Sequence, residues 1–215
     1  MILHSAEVRW FYPSDTFKKG SPPSPPNEVQ QWFQQESALL WPPKERTDRY
    51  LLLPGCETTS VKAREGRFEV KAIRGASETV SYGKGVSGRS DAWIKWSYGE
   101  QRVEVFIEAL EQEPEGWLDV TKWRWMRKFS LDYSNLVEVS VRDQPLQGGN
   151  IELTAIQTGD AHWWTLGLEA FGPAETVRGN LHSVANHFFG KSKPPIALHT
   201  TNSCPYPVWL NSVAE

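Results

Sequence analysis

Charged side chains recur at every second position of several short segments. These lysine, arginine and glutamate side chains are the groups of the sequence that could bind a charged ligand or a metal ion. In "VKAREGRFEVKAI", residues 61–73, Lys62 and Arg64 precede a glycine turn, and Glu69 and Lys71 follow it. Successive side chains of a β-strand point to opposite faces, so these four side chains share one face of a predicted hairpin. On a single hairpin such a face normally meets water, and only its repetition in other strands favours a charged interior.

The same alternation runs through most of the other strand-like segments. Parity predicts an inward-facing set that consists of Glu7 and Arg9, Lys62 and Arg64, Glu69 and Lys71, Lys95, Arg102, Glu104 and Glu108, Lys122 and Arg124, Glu138 and Arg142, Glu152, and Glu169. The predicted outward-facing set is apolar and includes Val61, Ala63, Phe68, Val70, Trp93, Trp123, Trp125, Leu136 and Val139. A wide barrel can hold water, charges and a polyanion inside, provided that helices cover its apolar exterior.

These patterns predict a mainly β fold, a single antiparallel barrel of about eight strands that occupies residues 1–215. The strand-like segments are "AEVRWFY", "TSVKARE", "RFEVKAI", "DAWIKWSY", "QRVEVFIEAL", "VTKWRWMRKFSL", "LVEVSVRD", "NIELTAIQ" and "HWWTLGLEAFG". Closure is favoured because it removes the unpaired edges that an open sheet of this size would expose.

Two helices are predicted to cover the barrel. A Pro-rich surface loop, residues 20–27, leads into the first helix, which Asn27 is expected to cap. Its apolar stripe consists of Val29, Trp32, Phe33, Leu39 and Leu40. The second helix, within residues 173–190, has a stripe of Val177, Leu181, Val184 and Phe188 and is expected to stop at Gly190.

Charge and cysteine content narrow the classes of protein and of partner. The net charge is -3 and the pI is near 6.0, so a surface coated with positive charge for duplex DNA or anionic lipid is not expected. Cys56 and Cys204 have no metal-ligand spacing around them, which argues against a disulfide framework or a zinc site. The chain starts without a secretory pattern and has no segment of membrane-spanning length, so we expect a cytoplasmic protein without a membrane partner.

Three other sequence patterns resemble nucleotide-, metal- or nucleic-acid-binding motifs, but their context argues against each. The glycines of "GKGVSG" match a dinucleotide-binding spacing, but a strand rather than a helix follows them. His182 and His187 are five apart and do not share a helix face. The interleaved "KWRWMRK" could stack bases of single-stranded nucleic acid, but a barrel strand with Lys122 and Arg124 inside is favoured because the overall charge is not basic.

In order and spacing the chain resembles the CYTH superfamily, the triphosphate tunnel metalloenzymes, over almost its whole length. "AEVRWFY" lies where that family has an opening Glu-x-Glu-x-Lys strand, and "TDRYLLLPG" is similar to its aromatic second strand. "SVKAREGRFEVKAI" resembles the basic strand pair, and "VTKWRWMRKF" resembles the later Lys/Arg strand. "LEAFG" is similar to the final acidic strand, and "SCPYPVWL" to the family's Tyr-Pro-x-x-Leu tail.

The resemblance implies a tunnel in which cations hold a triphosphate and carboxylates hold Mg²⁺ or Mn²⁺, for metal-assisted attack of water. By this resemblance the phosphate contacts are Lys62, Arg64, Lys71, Lys95, Lys122 and Arg124. The implied metal ligands are Glu7, Glu138, Glu152 and Glu169. The residue types suit this chemistry, because guanidinium groups bind phosphate bidentately and hard divalent cations prefer carboxylate oxygens.

The sequence departs from the family at both acidic pairs. Arg9 stands where the second glutamate is expected, Phe11 replaces the lysine, and Gly167 stands two residues before Glu169. A change from carboxylate to guanidinium alters the local charge by two units and weakens a divalent metal site. We therefore expect a tunnel that binds a phosphate-rich or polyanionic small molecule, either as a divergent metal-dependent triphosphate hydrolase or as a non-catalytic binding or scaffold protein. A purely structural network of cross-strand ion pairs is the remaining alternative.

Overall fold

The computed structural model describes residues 2–14, 23–35, 37, 39, 41–64, 66–99, 116–132 and 135–214. In these ranges the chain forms ten strands and three α-helices. The strands are β1 (Ile2–Pro13), β2 (Trp41–Leu51), β3 (Thr59–Arg64), β4 (Arg67–Ile73), β5 (Glu78–Ser81), β6 (Ser87–Gly99), β7 (Trp117–Asp132), β8 (Asn135–Val139), β9 (Gly148–Thr158) and β10 (Ala161–Phe171). The helices are α1 (Asn27–Gln34), α2 (Val177–Lys191) and α3 (Tyr206–Ala214), with a 3-10 turn at Thr200–Asn202.

Eight of the described strands close into an antiparallel barrel, which confirms the predicted fold class. Their order is β1-β10-β9-β7-β2-β3-β4-β6, and β6 pairs with β1 to complete the ring. The two remaining described strands lie outside this ring, since β5 pairs with β6 and β8 pairs with β7. Because β6 pairs with β1, the backbone donors and acceptors of these two strands are not left unpaired at an open edge.

The main hydrophobic core lies on the outside of the barrel wall. Ala6, Val8 and Trp10 of β1 are buried together with Ile151 and Leu153 of β9. The predicted stripe of α2 packs on the same core, since Val177, Leu181, Val184 and Phe188 are all buried. Each fully buried aliphatic or aromatic side chain contributes about 1.5–3 kcal/mol to folding, so this outer layer supplies much of the stability.

Helix α1 is shorter than the sequence pattern indicates. It ends at Gln34, Leu39 is 45% exposed, and β2 already begins at Trp41. Pro26 rather than Asn27 holds the N-cap position, and no side chain of the described residues caps the helix. The helix can end early because Arg127 on β7 donates hydrogen bonds to the carbonyl oxygens of Phe33 and Gln35, at 3.4 and 3.3 Å.

Helix α3 is a third covering helix, which the sequence pattern did not indicate. Its Trp209 and Leu210 are buried with Phe11 and Ile156, whose side chains point into the barrel. Trp209 stacks on Phe11 with 5.0 Å between ring centroids. Helix α3 therefore closes one end of the barrel with an aromatic plug.

Three predicted inward residues, Arg102, Glu104 and Glu108, lie outside the described residues together with their predicted strand. The prediction for Arg142 is wrong, because β8 ends at Val139 and Arg142 is exposed in the turn that follows. No helix within the described ranges is long and apolar enough to cross a membrane.

Candidate functional site

The lumen of the barrel contains a cavity of about 520 Å³. All six side chains expected to contact phosphate line it, namely Lys62, Arg64, Lys71, Lys95, Lys122 and Arg124. Three of the four expected metal ligands line it as well, namely Glu7, Glu152 and Glu169. The alternation of side chains along the barrel strands therefore brings these residues from distant parts of the chain to one place.

Glu138, the fourth expected metal ligand, lies elsewhere. It is on β8, which pairs with β7 beside the barrel ring rather than within it. Its carboxylate accepts hydrogen bonds from Arg127 Nη2 at 2.7 Å and from Ser37 Oγ at 2.7 Å. These bonds connect Glu138 to Ser37 and to β7, and Glu138 is not among the described residues that line the cavity.

Trp93 was predicted to face outward, and this prediction is wrong. It has the same parity as Lys95 on β6, and both side chains line the cavity. The Nζ atom of Lys71 lies 5.0 Å from the Trp93 ring centroid, in a cation–π contact.

Exposure along the cavity distinguishes a mouth from a floor. The side chains of Arg124, Lys95 and Glu169 keep 29%, 30% and 26% of their surface exposed. Asp48 is fully buried, and Thr165 is equally buried nearer the aromatic plug. The floor therefore lies toward α3, and the mouth lies near Lys95 and Glu169.

The side chain of Arg9 extends from β1 over Gly167 on β10 and reaches β9. In the β1–β10 pair Arg9 lies opposite Gly167, and in the β10–β9 pair Gly167 lies opposite Glu152. The guanidinium bonds Glu7 on its own strand at 2.7 Å and Glu152 on β9 at 3.2 Å. A Cβ atom at position 167 would lie 2.6 Å from Nη1 of Arg9, so a larger residue there would force the guanidinium to move. Arg9 and Gly167 thus form one structural unit.

The carboxylates on this side of the cavity all have cationic partners. Lys71 Nζ donates to Glu7 at 2.6 Å and to Glu169 at 3.0 Å, and Arg124 Nη1 donates to Glu152 at 2.7 Å. Burial alone would raise the pKa of Glu7, but Lys71 and Arg9 outweigh it and hold this pKa at about 2. Likewise, Arg124 and Arg9 overcome burial and hold the pKa of Glu152 at about 2. We call these six residues, Glu7, Arg9, Lys71, Arg124, Glu152 and Glu169, the balanced wall, because their formal charges cancel.

Seven other charged residues of the lining carry an excess of positive charge. Five basic residues, Arg46, Lys62, Arg64, Lys95 and Lys122, accompany only two carboxylates, Asp48 and Glu69, and we call these seven residues the basic wall. Asp48 lies 2.9 Å from Arg46 and 3.7 Å from Lys62, and Glu69 lies 2.9 Å from Lys62. Arg64 and Lys95 approach Glu69 only to 3.8 Å, and both side chains line the cavity.

Lys122 lies at the base of the basic wall in a cage of polar and aromatic groups. Its Nζ atom donates to Asp48 at 2.9 Å and to the Tyr50 hydroxyl at 2.7 Å, and lies 4.4 Å from the Tyr206 ring centroid. Burial lowers the pKa of Lys122 to about 7 even though Asp48 favours the charged form. Asp48 in turn has a pKa well below its ordinary value, because Lys122, Lys62 and Arg46 outweigh its own burial. This amine can therefore change its charge near neutral pH.

Hydroxyl groups without partners mark the floor of the cavity. Thr154 and Thr165 lie opposite each other in the β9–β10 pair, and Tyr206 of α3 lines the cavity as well. Within the described residues, the side-chain oxygens of all three are buried and have no hydrogen-bond partner. A buried hydroxyl that lacks a partner costs free energy, so these groups favour water or a ligand that can bond to them.

Sequence reasoning missed several lining residues of the second strand, Arg46, Asp48 and Tyr50. The signal was present, since these residues alternate in "KERTDRYL" as the charged residues do elsewhere. The two prolines at the start of β2 hide it, because proline is unusual within a strand. Thr154, Thr165 and Tyr206 had no comparable signal in the sequence. They stand out because their buried hydroxyl groups lack a hydrogen-bond partner among the described residues, and this depends on the three-dimensional structure.

The balanced wall does not fit Mg²⁺ or Mn²⁺ as it stands. Divalent cations need several carboxylate oxygens directed at one point, but a guanidinium lies between Glu7 and Glu152. No group of three or more metal-binding side chains with suitable geometry occurs among the residues that the structure describes.

The protein is thus a closed antiparallel β-barrel whose lumen is charged and whose apolar core lies outside. No known family model matches the chain. No curated protein matches it either. Among solved structures, it is similar to one titled "Structure of PH1012 protein from Pyrococcus Horikoshii OT3", with a TM-score of 0.42, 12% identity, and coverage of 92% of this chain and 93% of that one. A similarity of this size says nothing about function.

Proposed function

We propose that the cavity binds a small polyanion, with a phosphate-rich molecule as the best fit. One observation carries the proposal. Of the charged side chains that line the cavity within the described residues, nine are basic and five are acidic, although the whole chain has a net charge of -3. The ninth basic residue, outside both walls, is Lys128, which donates to the carbonyl oxygens of Val141 and Asp143. A positive excess in a cleft of a negatively charged protein attracts anions, because low-dielectric walls concentrate the field there.

The basic wall is the part of the cavity that would hold the anion. Arg64 and Lys95 have donors left over after their long contacts with Glu69. Lys62 reaches both carboxylates of this wall and could turn toward a ligand between them. A guanidinium can bond two phosphate oxygens at once, and an ammonium adds charge without a fixed geometry.

The CYTH resemblance supports the same ligand class but a different chemistry. A barrel lumen that gathers all six expected phosphate contacts is compatible with that family. The pairing of Arg9 with two of the expected metal ligands favours binding over metal-assisted hydrolysis. We therefore propose a divergent CYTH-like binding protein ahead of a triphosphatase.

A structural role for the lumen charges is the second candidate. It is favoured by the observation that each of the five lining carboxylates has at least one basic partner within 3.2 Å. Buried pairs of this kind can fix a conformation without any ligand. The two candidates differ in what the loss of one cation does.

Thermal unfolding with tripolyphosphate in metal-free buffer separates the two candidates. A ligand that binds only the folded state stabilises it, by about 2.7 kcal/mol at a concentration of one hundred times Kd. We expect tripolyphosphate to raise the Tm of the wild-type protein and to raise that of Lys62→Met much less. Lys84→Met, at an exposed loop lysine, is the matched control and should respond like the wild type.

Two other results would contradict the proposed binding of a polyanion. If Lys62→Met lowers the Tm but keeps the full response to tripolyphosphate, the cation has a structural role only. If neither tripolyphosphate nor another polyanion, such as a nucleoside triphosphate or an inositol polyphosphate, raises the Tm of the wild-type protein, the proposed function is wrong.

A further inference from the structure

The balanced wall contains its own cation at the point where its carboxylates converge. Arg9 is 8% exposed, and its guanidinium contacts Glu7 at 2.7 Å and Glu152 at 3.2 Å. Lys71 completes the set between Glu7 and Glu169, at 2.6 and 3.0 Å. Three carboxylates of one region of the lining are thus bridged by two basic side chains of the protein.

The arrangement is built into the wall and is not a chance orientation of a long side chain. Gly167 on the intervening strand provides the space, since any Cβ there would overlap with the guanidinium. Arg9 also lies with its guanidinium carbon 5.8 Å from the Tyr206 ring centroid, on the floor side. Its partners are therefore provided by three strands and a helix, which hold it in one place.

We infer that Arg9 is a resident cation that takes the place of a divalent metal, and that the cavity takes its ligand as the free polyanion rather than as the magnesium complex. The second half of this inference rests on the proposed function. A magnesium complex would bring a divalent cation toward a guanidinium and an ammonium, and the carboxylates that could bind it are already neutralised. A free polyanion keeps its full charge for the basic wall.

The first test needs no polyanion. Electron paramagnetic resonance reports free Mn²⁺, and its signal falls when the ion binds a protein. We expect the wild-type chain to leave the signal of millimolar-range Mn²⁺ unchanged. We expect Arg9→Gln, which leaves Glu7, Glu152 and Glu169 without the guanidinium, to bind Mn²⁺ at least about tenfold more tightly, because a nearby unit of like charge has been removed.

Arg124→Gln is the matched control for that variant. It also removes a guanidinium that contacts Glu152, since Arg124 Nη1 lies 2.7 Å from the Glu152 carboxylate, but it leaves Arg9 in position. We expect a much smaller gain of Mn²⁺ binding, because Arg9 still lies between Glu7 and Glu152. An equal gain in both variants would show that Arg9 has no special role, and Mn²⁺ binding by the wild type that Glu7→Gln abolishes would overturn the inference directly.

The second test uses the wild-type protein and therefore holds even if Arg9→Gln does not fold. Calorimetric titration with tripolyphosphate is compared in a chelator and in excess Mg²⁺. We expect binding in the chelator and weaker apparent binding in Mg²⁺. A requirement for Mg²⁺ would overturn the inference. If tripolyphosphate binds under neither condition, the proposed function fails, and the Mn²⁺ measurement on the wild type still decides whether the wall excludes metal.

Discussion

Arg9 lies opposite Gly167 in the β1–β10 pair, and its guanidinium occupies the space of the absent side chain. This relationship predicts the effect of adding one methyl group to the lumen. Gly167→Ala should lower the free energy of unfolding by about 1–3 kcal/mol, as overpacking of a filled site does. Denaturant unfolding measures it.

Two variants make this measurement specific. Gly179→Ala on α2 adds a methyl group where no atom of the described residues lies within 4 Å, so it should be neutral or stabilise the helix. In an Arg9→Gln background the cost of Gly167→Ala should shrink, because the clashing group is gone. An unchanged cost in that background would mean that the methyl group meets something other than Arg9.

Acid should destabilise the protein through Glu7 and Glu152. Both have a pKa of about 2 in the folded state against an ordinary 4.5, so the stability they add is present above pH 4.5 and is lost as the pH falls toward 2. By linkage each contributes at most about 3 kcal/mol, and the two overlap because they share Arg9. The free energy of unfolding, measured in urea between neutral and acid pH, should fall steeply in this window.

The slope of that curve identifies the groups responsible. Glu7→Gln should start from a lower stability and show a shallower fall. Asp119→Asn is the control, because Asp119 pairs with Arg49 at an exposed site, and exposed pairs add at most about 1 kcal/mol. An identical slope in the wild type and in Glu7→Gln would contradict the assignment.

Lys122 should make polyanion binding depend on pH. Its pKa is about 7 in the free protein, against an ordinary 10.5, so the amine is neutral over most of the range between these values. A bound anion favours the charged form, so binding takes up a proton in this range. The affinity for tripolyphosphate should therefore fall as the pH rises above 7, by up to about tenfold per pH unit.

Calorimetry in buffers of different ionisation enthalpy counts that proton. Lys122→Met should remove most of the uptake and of the pH dependence, while Lys84→Met should keep both. If the wild type binds without proton uptake above neutral pH, Lys122 is not in contact with the ligand.

Glu152 and Glu138 offer a matched pair of substitutions that tests the position of the site. Glu152→Gln frees Arg9 and Arg124 and adds one positive charge to the cavity, so it should tighten tripolyphosphate binding severalfold while lowering stability. Glu138→Gln breaks the pair with Arg127 outside the cavity, so it should lower stability and leave binding unchanged. Titration calorimetry and urea unfolding of both variants provide the comparison.

Parity along the strands was sufficient to predict which face of the barrel is charged. In β7 the alternation placed Lys122 and Arg124 inside, where the structure has them, and left Trp125 to pack against the outer core. The same rule would have placed Trp93 beside Lys95, since the two have the same parity. Alternation is reliable here because it depends only on the geometry of one strand.

Parity does not say which strands belong to the ring. Glu138 has a regular position on β8, but β8 pairs with β7 outside the barrel, and this depends on contacts between distant segments. The bond from Arg9 to Glu152 spans 143 residues and exists because β10 lies between their strands with Gly167 in register. Strand order and register of this kind follow from the whole fold rather than from a local pattern.

The aromatic plug at α3 has a consequence for the size of whatever enters the lumen. Trp209 and Phe11 form a solid stop beyond the floor hydroxyls, so a linear molecule can advance only as far as Tyr206. Any length beyond that depth lies toward Lys95 and Glu169, whose side chains are partly exposed. The cavity would then hold only a limited length of a linear ligand. Each further unit of the ligand would add little to the free energy of binding.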